Sequence, residues 1–211
     1  IEIPSDVLPM REEIDLIEPE VFQKKKPEHS LIEQAVELLA SAKHPVIWAG
    51  GGVNAANASE ELTKLSELIN AAVIVTAEGK GAISEVHPQY VGPFYYGHGP
   101  AHEIIPQSDV ILAIGSRLHF FSPVSWGFKP HQQLIHIDAD SNELGRNWPE
   151  TLSIHADGRV ALQEILARIH TKDIGSLWDT ETITRHRNAA YETTKLHAPE
   201  QVQIIEPLRD C

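Results

Sequence analysis

Three consecutive glycines, Gly50-Gly51-Gly52, stand directly after the apolar run Val46-Ile47-Trp48-Ala49 and before a segment rich in Ala, Glu and Leu, Ala55 to Leu68. A buried strand, a tight turn and a helix start read this way. Glycine lets backbone approach a ligand closely, and the first N–H groups of a helix favour an anion. As G-x-G-x-x-A, Gly50, Gly52 and Ala55 match a loosened dinucleotide fingerprint. Glycines after strands also serve simply as turn formers, so both readings stay open.

In an open parallel sheet, ligands bind beyond the carboxyl ends of the strands. The residues expected there are Gly50 to Gly52, then Thr76 to Glu78, then Gly115 to Arg117, then Asp138 and Asp140, then Ala156 to Gly158. Arg117 offers a bidentate grip on a phosphate, or neutralises a carboxylate such as Asp138. Asp138 either accepts from ribose hydroxyls or caps a helix, and Asp157 reads as an N-cap. Glu78 follows the second strand, where a nicotinamide-binding domain places its ribose acid. His98, between two glycines, is either a ligand contact or an exposed loop residue. Trp126 and Trp148 read as packing or interface residues. The sequence carries no HExxH, no P-loop lysine pattern, no G-x-S-x-G and no Cys/His pair, so no acid–base chemistry of its own is expected.

The elements that must position these residues alternate. Ser30 and Glu33 form a candidate capping box for a helix to Ala42. Strands are expected at 46–49, 73–75, 110–114, 134–138 and 152–155. Helices are expected at 56–70, 101–107, 142–145 and 159–169, and a further one within 178–197. Short continuous apolar strands suit a parallel sheet covered on both faces. The fold class is therefore α/β, a doubly wound, three-layer, Rossmann-like parallel sheet over 29–170. Residues 1–28 read as a remnant of a preceding domain plus linker, and 171–211 as a C-terminal linker segment. The chain opens mid-strand with Ile1-Glu2-Ile3, the pattern expected of a piece of a longer polypeptide.

Seventeen Lys and Arg against 30 Asp and Glu give a net charge of -13, which argues against nucleic acid or an anionic membrane as partner. A single cysteine, Cys211, excludes an internal disulfide framework and points to the cytoplasm.

Taken in order, HPVIWAGGGV, VIVTAEGKG, GHGPAHEIIPQSDVILAIGSRL, LIHIDADSNELGRN and IHADGRVALQEIL resemble the central domain of thiamine-diphosphate-dependent enzymes, especially the acetolactate synthase group. The resemblance covers about 44–169. IEIPSDVLP is similar to the exit from a preceding pyrimidine-binding domain. The resemblance implies a parent enzyme acting on 2-oxo acids, as a carboligase or decarboxylase. Thiamine diphosphate and magnesium would be held by the pyrimidine- and diphosphate-binding domains, between subunits of a homo-oligomer. The family's catalytic glutamate and its GDG…N motif belong to those domains, so the fragment alone is expected to be inactive. Central domains of the family bind FAD, ADP or a CoA nucleotide, or nothing. The matching positions are Gly50, Gly51, Gly52, Thr76, His98, Gly115, Arg117, Asp138 and Asp157. The chain departs from flavin-binding members at Leu118-His119-Phe120-Phe121 and at Glu78, whose negative charge is unfavourable beside a diphosphate. A stand-alone NAD- or ADP-binding module, with Glu78 on the ribose, is the alternative.

Overall fold

The computed structural model describes residues 4–11, 13, 15, 17–18, 23–94, 99–118, 132–148, 151–197, 199–200 and 203. Helix α1 (His29–Ser41) turns Ile32, Ala35, Val36 and Leu39 inward. Its N-cap is Glu28, without a side-chain cap bond. The expected Ser30 cap does not form, because the Ile32 amide already bonds the Glu28 carbonyl at 3.2 Å and encloses Ser30 in the first turn.

Strand β1 (Pro45–Ala49) leads into α2 (Gly51–Ala55) and α3 (Ser59–Leu68). One continuous helix over 56–70 was expected. Instead the helix starts within the glycines and breaks at Asn57, which adopts a positive φ of 53°. Asparagine tolerates that left-handed conformation better than most residues do.

Strand β2 (Ala72–Val75) is followed by β3 (Tyr90–Pro93), a stretch expected as loop because it holds Gly92 and Pro93. As an edge strand β3 tolerates both residues. Helix α4 (Ala101–Ile104) continues as a 3-10 turn through Gln107. Strands β4 (Val110–Ile114), β5 (Gln133–Asp138) and β6 (Thr151–His155) follow, then α5 (Gly158–Ile169) and α6 (Thr180–His197). The expected helix at 142–145 is a run of turns.

The sheet order is β3-β2-β1-β4-β5-β6 and every adjacent pair is parallel. That is the order of a doubly wound dinucleotide-binding fold, with its switch point between β1 and β4. Alternate residues of each strand feed opposite faces. Ile47, Val73, Leu112, Ile135 and Ile154 pack with α1, α3 and α5 on one side. Val46, Trp48, Ile74, Ile111 and Leu134 pack with α4 on the other. Trp178 and Ile183 complete this second layer. The Trp178 indole N–H donates to the Pro45 carbonyl at 2.9 Å, and Arg187 on α6 donates to the His87 carbonyl at 2.9 Å. The residues after α5 are thereby fastened beneath β1 and beside β3. Among the described residues, no helix is long and apolar enough to cross a membrane.

Candidate functional site

At the switch point the loops after β1 and β4 interlock. The Gly50 amide donates to the Ile114 carbonyl and the Gly52 amide to the Gly115 carbonyl, both at 2.9 Å. A Cβ on Gly52 would lie 2.5 Å from the Gly115 Cα, and Gly115 itself has a positive φ of 57°. A Cβ on Gly79 would lie 2.1 Å from the Ala49 carbonyl oxygen. These glycines let three strand ends close on one another. The amides of Gly50 and Gly52, expected to face an anion, face protein carbonyls. Thr76 serves the same closure: its hydroxyl accepts from the Gly79 amide at 3.0 Å.

Beside this corner, beyond the ends of β4, β5 and β6, lies a cleft of about 590 Å³. Gly52, Gly115, Arg117, Asp138 and Asp157 line it, five of the residues expected to bind a cofactor. Gly50, Gly51 and Thr76 are not among its lining residues. His98 lies outside the described residues. Asp140, Glu143 and His155 also line the cleft. Glu143 and His155 escaped the sequence reading. His155 carried a usable signal, since it is the last residue of β6.

The local chain explains each carboxylate. Asp138 Oδ1 accepts from the Asp140 amide, and Asp140 Oδ1 from the amide and side chain of Asn142, all at 2.9 Å. These bonds to Asn142, its amide first, hold the Asp140 carboxyl below the usual range. Asp157 is the N-cap of α5, accepting from the Val160 amide at 3.1 Å, and it pairs with Lys24 at 3.4 Å. Glu143 pairs with Arg146 at 3.2 Å. The His155 ring donates Nε2–H to the Ala139 carbonyl at 3.0 Å. Arg117 is exposed, and its guanidinium makes no ion pair among the described residues. The arrangement is one cation without an ion pair among the described residues, its charge acting on Asp140 from a distance, among carboxylates whose oxygens can accept further hydrogen bonds. It suits a ligand carrying both an anionic group and hydroxyls.

A family model described as "Thiamine pyrophosphate enzyme, central domain" matches residues 32–165. The chain belongs to this family. Within the thiamine pyrophosphate enzyme central domains, it is similar to curated proteins of known name. It is 40% identical over 162 residues to a probable acetolactate synthase large subunit from Methanococcus aeolicus, covering 73% of this chain and 26% of that protein. It is 35% identical over 204 residues to the corresponding protein of Methanocaldococcus jannaschii, covering 94% of this chain and 32% of that one. A sulfoacetaldehyde acetyltransferase from Rhodobacter capsulatus is 31% identical over 80% of this chain and 30% of its own length. The chain thus spans about a third or less of these relatives. Among solved structures, the benzoylformate decarboxylase of Polynucleobacter necessarius superposes with a TM-score of 0.62 at 18% identity, over 81% of this chain and 33% of that one. That likeness agrees with the fold.

Proposed function

We propose that this central domain belongs to a larger, acetolactate synthase-like enzyme that joins or cleaves a carbon–carbon bond beside a 2-oxo acid carbonyl. Its own part is that of scaffold and holder of an adenine nucleotide. The names of the relatives support the first half of this reading. The observation that carries the second half is Arg117, exposed in the cleft and free of ion pairs among the described residues.

The donor set fits an adenosine diphosphate group. Arg117 meets a phosphate with its planar fork, and Asp138 and Asp140 accept from ribose hydroxyls. The fit is to the rim of β4 and β5 rather than to the glycine corner, whose Gly50 and Gly52 amides already have carbonyl partners. A Cβ at Gly51 would come within 2.9 Å of the Glu78 Cβ, so Glu78 stands against the corner and sets a negative charge beside it. This disfavours a flavin diphosphate laid across the first two strands and favours ADP.

Thiamine diphosphate, in the parent, supplies the nucleophilic carbon and the electron sink. The residues of this domain contribute position, exclusion of water and an interdomain surface. Partners in this reading are the pyrimidine- and diphosphate-binding domains of the same chain, with magnesium, within a cytoplasmic homo-oligomer. In this reading the domain starts at about residue 29 and takes in Trp178 and Ile183, which lie in its second core layer, and the linker toward the next domain begins beyond them.

Calorimetry of this chain with ADP, FAD and NAD tests the reading. ADP binding that is lost in Arg117→Ala supports it. Tight NAD binding lost in Glu78→Ala supports a stand-alone module instead. No heat with any of the three leaves a scaffold alone. Pyruvate consumption by this chain with added thiamine diphosphate and magnesium contradicts the division of labour.

A further inference from the structure

We infer that the buried residues Trp48, Ser116 and His136 form a positioning device for Arg117, with His136 as its anchor. The inference rests on the nucleotide reading of the cleft.

Sheet register places the three together. Trp48 pairs with Ala113, and Ala113 with His136, so the indole and the imidazole flank a small residue in one row across the sheet. The chain then rises three residues to Ser116 at the rim. The Trp48 indole N–H donates to Ser116 Oγ at 3.2 Å, and His136 Nε2–H donates to the Ser116 carbonyl at 2.8 Å. A carbonyl only accepts, so this bond fixes the ring's tautomer. The Leu118 amide lies 3.5 Å from Ser116 Oγ.

On the far side of Arg117, Leu118 is buried in a left-handed conformation with φ 48°, which a branched side chain seldom adopts. The Arg117 carbonyl accepts from the Asn147 side chain at 3.2 Å. The backbone is therefore gripped before, at and after Arg117, while its side chain reaches the cleft. A histidine 2% exposed, on a sheet face otherwise built of Trp48, Ile111 and Leu134, is poorly explained by packing alone. Its bond to the residue before Arg117 supplies the reason. A backbone fixed on both sides of Arg117 sends its side chain into the cleft from one origin, so less freedom of the chain is lost when the guanidinium meets a phosphate.

The test is a double-mutant cycle on the full chain, read by ADP affinity, with inorganic pyrophosphate as a second probe. His136→Leu is expected to weaken ADP binding about 5- to 10-fold, and Arg117→Ala by about 10-fold or more. In the Arg117→Ala background, His136→Leu should change affinity less than about twofold, because the two act through one contact. His136→Gln, which restores an N–H donor, should recover most of the loss. Should His136→Leu fail to fold, His136→Met, which fills a similar volume without an N–H donor, replaces it in the same cycle.

Equal losses with and without Arg117 overturn the inference, as does unchanged affinity in His136→Leu while Arg117→Ala is weakened. If the unmodified chain binds neither probe, the nucleotide reading itself fails. Hydrogen exchange at 116–118 then decides separately. Faster exchange in His136→Leu, reversed in His136→Gln, upholds the anchor, and unchanged exchange removes it.

Discussion

A methyl group on Gly50 would sit 2.1 Å from the carbonyl oxygen of Gly115. The same Gly50 amide bonds the Ile114 carbonyl, so the two loops cannot separate to admit the methyl without breaking the switch-point corner. Gly50→Ala should cost about 3 kcal/mol or more, since backbone offers no rotamer to move aside. Gly158, at the start of α5, is the control. Its nearest neighbour for an added Cβ is Ile114 Cδ1 at 3.5 Å, and its φ is not left-handed. Gly158→Ala should be neutral or stabilising by about 0.5 kcal/mol. Urea unfolding of the two variants checks the contrast.

Trp178 lies nine residues beyond the end of α5 at Ile169, yet it is 5% exposed and sits in the second core layer. Its ring meets His44 edge-on with centroids 4.9 Å apart, and its N–H serves the Pro45 carbonyl. Trp178→Ala should therefore cost about 3–5 kcal/mol, as for other buried aromatics. A chain ending at residue 170 should unfold at a still lower denaturant concentration. Equal midpoints for the full and shortened chains would show that the tail adds nothing to the sheet.

The strands that carry the site were legible because burial on both faces leaves a short apolar run. The bounds read for 110–114 match β4 at both ends. β3 was hidden because Gly92 and Pro93 are loop signals, and only its place at the sheet edge permits them. The break at Asn57 was equally invisible, since the residues on either side are good helix formers. For the cleft, the rule that ligands gather beyond strand ends found Arg117, Asp138 and Asp157. It could not find the row Trp48–Ala113–His136, which exists only once three strands are in register. Nor could composition show that Trp178 covers core, because the segment around it is polar.

His136 gives the fold a dependence on pH. Burial pushes its pKa down, against the opposing pull of the Ser116 carbonyl, Asp138 and Glu143. The folded ring therefore binds its proton less readily than the unfolded one, whose ordinary value is 6.5. Below that value the unfolded state takes up more protons, so stability is complete above it and falls as pH drops toward the folded pKa. Thermal midpoints should decline between about pH 7.5 and pH 5. His136→Gln should flatten that decline, and an equal slope in both proteins would assign it to other groups.

Glu61 adds a dependence of the same sense at lower pH. This buried carboxylate on α3 accepts at Oε1 from Arg159 Nε at 2.7 Å and from the Gln163 side chain at 2.9 Å, both on α5. Its Oε2 is buried without a hydrogen-bond partner among the described residues. Burial pushes its pKa up, and the bonds from Arg159 and Gln163 more than offset it, so the net value lies below the ordinary 4.5. Its contribution is present above that value and is lost as acid protonates the folded state. Arg159→Leu removes the largest influence opposing burial, so the folded pKa rises and the stability that this carboxylate contributes above about pH 4.5 shrinks. The thermal midpoint of Arg159→Leu should fall several degrees below that of the unmodified chain at pH 7, with the gap narrowing as the pH falls below about 4.5. The double variant Glu61→Leu with Arg159→Leu should recover most of the loss, because an apolar contact between α3 and α5 leaves no buried charge unmatched. A gap that stays constant across this range would mean that Arg159 acts only through the packing of its stem.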